Sequence, residues 1–140
     1  MTSFYAEDVN YWKTSRSSPD SWISKTKSLI IDFGGEIVSE AFGSSGDRSA
    51  FLLEWKHEGQ CYKMVWPVLQ SAEGNEEAAR RQAATMLYHD TKAKLVSAKV
   101  LGVRIAFFQW LQIPDGRSAY QLADNELTKA MPALLTNQKE

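Results

Sequence analysis

Cysteine is nearly absent from this chain, since Cys61 is the single one among 140 residues. One cysteine cannot form an internal disulfide, and it excludes a zinc site built from several thiolates. This usage is typical of proteins kept in a reducing compartment. We therefore predict a cytoplasmic location and a fold that needs no metal or other cofactor.

The chain also lacks a long hydrophobic run, a signal-peptide pattern and an excess of one charge. No apolar stretch approaches the roughly 18 residues that a membrane span needs, so we predict no membrane partner. Sixteen basic and 17 acidic residues give a net charge of −1, and binding to nucleic acid would therefore need a local basic patch. A length of 140 residues predicts one domain, and a hydrophobic content of 44% is enough for a core.

The strongest predicted element is one long helix from Asn75 to Leu101. Asn75 is a good N-cap, Glu76 and Glu77 suit the positive end of the helix dipole, and Gly102 can end the helix. Small and apolar side chains recur at helical spacing and predict a buried stripe of Ala84, Leu87, Tyr88, Thr91, Leu95 and Ala98. At ~1.5 Å per residue the helix is about 40 Å long. Its second half should therefore pack on the C-terminal segment or on another subunit.

The segment before this helix predicts one helix and three strands. Ser18 is a suitable N-cap, Pro19 suits the first helical position, and two glycines, Gly34 and Gly35, end the helix. Alternating apolar side chains and a turn at Gly59 then predict a β-meander. The predicted strands span residues 36–42, 49–56 and 61–69.

The segment after Gly102 predicts a fourth strand, Val103 to Ile113, with apolar side chains on both faces. Such a strand must be covered on both faces, which favours a homo-oligomer. A return strand at 118–122 would be the fifth. The predicted fold is α+β in the order αβββαβ, a mostly antiparallel four- or five-stranded sheet with two main helices on one face. One domain is predicted over 1–140, comprising an arm and linker (1–18), a core (19–113) and a C-terminal turn and short helix beginning at Asp124 (114–140).

Two stretches carry a resemblance to nucleic-acid-binding families. The run Ser45 to Phe51 and the Ala-rich run Glu76 to Met86, within a core spanning Trp22 to Asp90, resemble the double-stranded-RNA-binding domain. That family has phosphate-binding lysines where this chain has Glu76 and Glu77. The same element order and Ala/Lys-rich helix resemble the core of single-strand annealing recombinases, whose rings hold single-stranded DNA in a basic groove. Met1 to Ile30 is similar to an uncharacterised family of short phage and environmental bacterial proteins. These resemblances imply a non-enzymatic, phage-linked protein that binds single-stranded DNA.

Basic side chains are the candidates for that binding. They are Lys56 and Lys63 on the outward face of the sheet, and Arg80, Arg81, Lys92, Lys94 and Lys99 on the long helix. Aromatic side chains near them would stack on bases. The alternative is a set of ordinary solvated helix and strand surfaces.

The tripeptide Glu54-Trp55-Lys56 supports a second interpretation. Charges at i and i+2 on a strand share one face. The pattern and the αβββαβ order resemble restriction-endonuclease-like nucleases, in which Glu54, Lys56 and an upstream acid, here Asp47, would hold Mg²⁺ and position water. The alternative is an exposed ion pair. A third interpretation, an oligomeric assembly or interaction protein without ligand chemistry, also remains open.

Overall fold

The computed structural model describes residues 4–46 and 48–123. Its elements are α1 (Pro19–Phe33), β1 (Glu36–Ser45), β2 (Arg48–His57), β3 (Gln60–Val68), α2 (Glu76–Leu101) and α3 (Val103–Ala106), with 3₁₀ turns at Ala6–Asp8 and Phe108–Trp110. The sheet is antiparallel with strand order β1-β2-β3. The predicted α+β class, both long helices and the first three strands are confirmed.

The helix ends form where the sequence predicts them. Ser18 accepts a hydrogen bond from the Ser21 amide, and Asn75 accepts one from the Ala78 amide, so each caps the first turn of its helix. Gly34 ends α1 in the left-handed region, with φ of 107°. A Cβ on the following Gly35 would lie 2.5 Å from Ile30 Cγ2, so only glycine lets α1 turn this closely into β1.

The core lies between one face of the sheet and the two long helices. Alternation along β2 and β3 turns Phe51, Leu53, Trp55, Tyr62 and Met64 inward, and all five are buried. Trp55 stacks on Tyr62 with centroids 4.6 Å apart. The long helices supply Ile23, Ile30, Ala84 and Leu87 to the same cluster. The other face of the sheet is therefore left without a helix in the described part of the chain.

The fourth strand predicted at Val103–Ile113 is wrong. This segment begins with α3 and a 3₁₀ turn, and Val103, Phe107 and Trp110 are buried at helical spacing. Its backbone pairs with the sheet only after these turns, where the Gln112 amide donates to the Cys61 carbonyl at 2.8 Å. The fifth strand is reduced to one bridge between Gln112 and Ser118. The described residues thus form three strands, and the helix predicted from Asp124 lies outside them.

The N-terminal arm, residues 4–12, is fastened across the first half of α2. Ala6 is fully buried, and its carbonyl accepts from Gln82 Nε2 at 2.8 Å. The same amide nitrogen donates to the carbonyls of Val9 and Asn10 at 3.1 and 3.0 Å. A single buried glutamine therefore holds three backbone positions of the arm.

Glu7 fastens the arm at its other side. Its carboxylate accepts from Ser71 Oγ at 2.6 Å and from the amides of Ala72 and Glu73 at 2.9 and 3.2 Å. Desolvation alone would raise the pKa of Glu7, but these hydrogen bonds outweigh it and lower the pKa to about 2. Hydrogen bonds thus dock the start of the arm, where the aromatic side chains of Phe4 and Tyr5 are exposed.

Candidate interaction surfaces

The open face of the sheet carries three of the predicted site residues. The register places Glu54 opposite Ser39 and Lys63, and Lys56 opposite Glu36 and Cys61. Glu54, Lys56 and Lys63 therefore share the face that points away from the helices. The alternation also places Arg48 on this face. The sequence prediction did not include Arg48, although its even spacing from Glu54 and Lys56 indicates the shared face.

The nuclease interpretation depends on an acidic cluster around Glu54. Its carboxylate accepts a hydrogen bond from Ser39 Oγ at 2.9 Å. Asp47 lies outside the described residues. Within residues 4–46 and 48–123, no group of three or more His, Cys, Asp and Glu side chains is placed to hold a metal ion. The role of Mg²⁺ with Asp47, Glu54 and Lys56 stays a prediction.

The seven predicted basic residues fall into three separate groups. Lys56 and Lys63 lie on the open face of the sheet, while α2 packs against the opposite face. On α2, Lys92 lies twelve positions after Arg80, which corresponds to about 18 Å along the axis. Arg80 and Arg81 therefore lie apart from the later group of Lys92, Lys94 and Lys99. One copy of the chain does not bring them into a single groove.

Two of these basic residues already have partners. Arg81 pairs with Glu77 at 3.2 Å and donates to the Ser15 carbonyl at 3.4 Å. Lys94 pairs with Asp90 at 2.8 Å. The other five have no described carboxylate within 4.0 Å, and they remain available to an external anion: Lys56, Lys63, Arg80, Lys92 and Lys99.

The outward side of the second half of α2 is apolar. Val96, Val100 and Leu101 are 60%, 83% and 54% exposed, and Ile105 and Phe108 beyond the helix are 65% and 55% exposed. We call the α2 residues Ala93, Val96, Ser97, Val100 and Leu101 the outer stripe. The sequence indicates this stripe, because Ala93, Val96 and Val100 are three and four residues apart and therefore share one side of the helix. Leu95 and Ala98, which are buried, lie on the opposite side.

The outer stripe begins where the cover provided by the N-terminal elements ends. Tyr11 of the arm stacks on His89 with centroids 4.9 Å apart, and Trp22 of α1 lies 5.1 Å from the Tyr88 ring. From Lys92 onward the outward side chains of α2 are exposed. On the outward side of α2, the described residues therefore cover the turns up to His89 and leave the second half exposed.

Comparisons with known proteins do not indicate a function for these surfaces. No family model, curated protein or solved structure matches the chain. Within the described ranges, no helix combines the length and the apolar character that crossing a membrane requires. The resemblances to nucleic-acid-binding families therefore stay predictions, and a function has to be argued from the surfaces.

Proposed function

We propose that the protein is a non-enzymatic interaction protein that associates with a second copy of itself through the outer stripe of α2. The exposure of five large apolar side chains between Val96 and Phe108 carries this proposal. Exposed apolar side chains gathered in one region mark contact surfaces in soluble proteins. Each Å² of apolar surface removed from water stabilises a contact by about 25 cal/mol.

The pattern of side-chain sizes on the outer stripe favours a second copy. Ala93 and Ser97 are small, while Val96 and Val100 are branched, and all four lie on one side of the helix. In an antiparallel two-fold pair, the branched side chains of one helix would face the small ones of the other. The homo-oligomer predicted from the sequence is thus proposed on a surface centred on α2 rather than on a fourth strand.

Sedimentation velocity over a range of protein concentrations tests this proposal. The wild type should sediment as a species of twice 15.8 kDa, and Val100→Glu should remain at 15.8 kDa, because a carboxylate cannot be buried in the contact without a partner. Ile31→Glu is the matched control, since Ile31 is 56% exposed on α1. A monomeric wild type, or equal loss of dimer in both variants, would contradict the proposal.

Single-stranded DNA binding across the open face is the second candidate. The position of Lys56 and Lys63 favours it, because Lys63 lies two residues beyond the direct partner of Lys56. Such diagonal neighbours on adjacent strands are about 7–8 Å apart, so they can contact neighbouring phosphates. Arg48 extends the same face toward the far end of β2.

Fluorescence anisotropy with a labelled oligothymidylate tests the second candidate. Binding should be measurable at about 50 mM salt and fall steeply by about 200 mM, because released counterions drive such contacts. The double variant Lys56→Glu, Lys63→Glu should lose binding. The control Lys92→Glu, with Lys92 exposed on α2, should not. Absence of binding at the lower salt concentration excludes this candidate.

A further inference from the structure

A cleft of about 590 Å³ opens beside the first turns of α2. The end of β1 contributes Phe42 and Ser44, the end of β3 contributes Val68, and α2 contributes Glu76 and Arg80. Its lining combines apolar side chains with a larger number of polar ones, and a volume of this size is sufficient for a small molecule. This cleft belongs neither to the outer stripe nor to the open face of the sheet.

Two Glu–Arg pairs at the start of α2 have the same spacing but different structures. Glu77 and Arg81 are four residues apart and form an ion pair at 3.2 Å. Glu76 and Arg80 have the same separation, yet no such pair forms between them within 4.0 Å. The guanidinium of Arg80 instead lies over the Phe42 ring, with Cζ 4.0 Å from its centroid. The cation is thus held at the wall of the cleft by the aromatic ring rather than by its helical neighbour.

The cleft therefore presents two opposite charges without described ion-pair partners. Glu76 can accept from an ammonium group, and Arg80 can donate to a carboxylate in a bidentate pair. Ser44 Oγ and Ser49 Oγ, 3.0 Å apart, add hydroxyl groups to the wall. An anion alone would be repelled by Glu76, and a cation alone by Arg80. The arrangement suits a ligand that carries both charges.

We propose that this cleft binds a free α-amino acid with an apolar side chain. The ligand's carboxylate pairs with Arg80, its ammonium group pairs with Glu76, and its side chain lies against Val68 and Leu69. The proposal does not depend on self-association through the outer stripe or on DNA binding across the open face, because neither surface includes Glu76 or Arg80. Blocking either end of the ligand removes one of the two charge-assisted contacts.

Amide chemical-shift perturbation in the full-length ¹⁵N-labelled protein tests the site, with leucine as the probe. At about 10 mM, leucine should shift amides at residues 42–46, 68–71 and 76–80, consistent with the millimolar affinity of a shallow site. N-acetylleucine and leucinamide, each lacking one charge, should bind roughly tenfold more weakly or not at all. Absence of shifts with leucine, or equal shifts with all three compounds, overturns the proposal.

Variants assign the contacts. Arg80→Gln and Glu76→Gln should each weaken leucine binding by roughly tenfold. Glu77→Gln removes the same charge one residue further along and should leave binding unchanged, because Glu77 is paired with Arg81. Unchanged affinity in both Arg80→Gln and Glu76→Gln overturns the assignment. The dispersion of the amide spectrum in each variant shows directly that the fold is retained.

Discussion

The two halves of α2 differ in what their outward sides carry. In the first half, Glu76, Glu77 and Arg80 are exposed, and the arm and α1 cover the turns up to His89. In the second half, Val96, Val100 and Leu101 are exposed, and no described element covers them. The buried stripe runs through both halves from Ala78 to Ala98. The buried side of α2 therefore stabilises the fold along the whole helix. The exposed apolar side chains on the outward side of its second half indicate a surface for a partner.

The largest expected effect contrasts a buried and an exposed apolar residue of the same helix. Leu87 is 1% exposed, and Leu87→Ala should lower the free energy of unfolding by about 2–5 kcal/mol, because a cavity forms in the core. Val100→Ala should change the stability of the monomer by about 0.5 kcal/mol or less. Urea unfolding at low protein concentration, followed by tryptophan fluorescence, measures both. Similar losses of stability in the two variants would show that the outward side of the second half of α2 is covered in the monomer.

The next effect concerns how the first half is covered. Gln82→Ala removes the donor for the carbonyls of Ala6, Val9 and Asn10, so it should destabilise the protein by about 1–3 kcal/mol. Hydrogen exchange should accelerate in the arm and remain slow in the core strands. At low protein concentration, where the chain is monomeric, Ser97→Ala on the exposed outer stripe is the control that should change neither measurement. Unaltered exchange in the arm of the Gln82 variant would show that other contacts hold it.

The sequence predicted those parts of the fold that depend on local signals. Ser18, Asn75 and the glycines after α1 mark helix ends directly, and period-two alternation identifies β2 and β3. The segment 103–113 misled the prediction, because apolar residues at almost every position fit a strand and a helix equally. Only packing decided it, since Phe107 lies edge-on against Trp55 at 4.9 Å.

The candidate surfaces were less predictable than the fold. The positions of Lys56 and Lys63 follow from strand alternation, so their shared face could be predicted. The absence of an ion pair between Arg80 and Glu76 could not be predicted, because Arg80 instead contacts Phe42, which is 38 residues away in the sequence. The three contacts of Gln82 likewise depend on an arm that precedes it by more than 70 residues.

The smallest and most specific effect is the pH dependence of the arm. Glu7 has a pKa of about 2 in the folded protein, below the value of 4.5 for an unperturbed glutamate. The ionised carboxylate is thus favoured by folding. Its contribution is fully present above about pH 4.5 and is lost as the pH falls through the folded pKa near 2. Between these two pH values, Glu7 binds a proton more readily in the unfolded chain than in the folded one. The free energy of unfolding therefore decreases as the pH is lowered.

Glu7→Gln should therefore be less stable than the wild type at neutral pH, and the difference should shrink as the pH falls from about 4.5 toward 2. Urea unfolding at a series of pH values measures it. Asp32→Asn is the control, because Asp32 is exposed on α1 and has no described hydrogen bond or ion pair. If the difference in stability between the wild type and Glu7→Gln stays constant with pH, the negative charge of Glu7 does not account for it. The cover over the first half of α2 would then not depend on the ionised carboxylate.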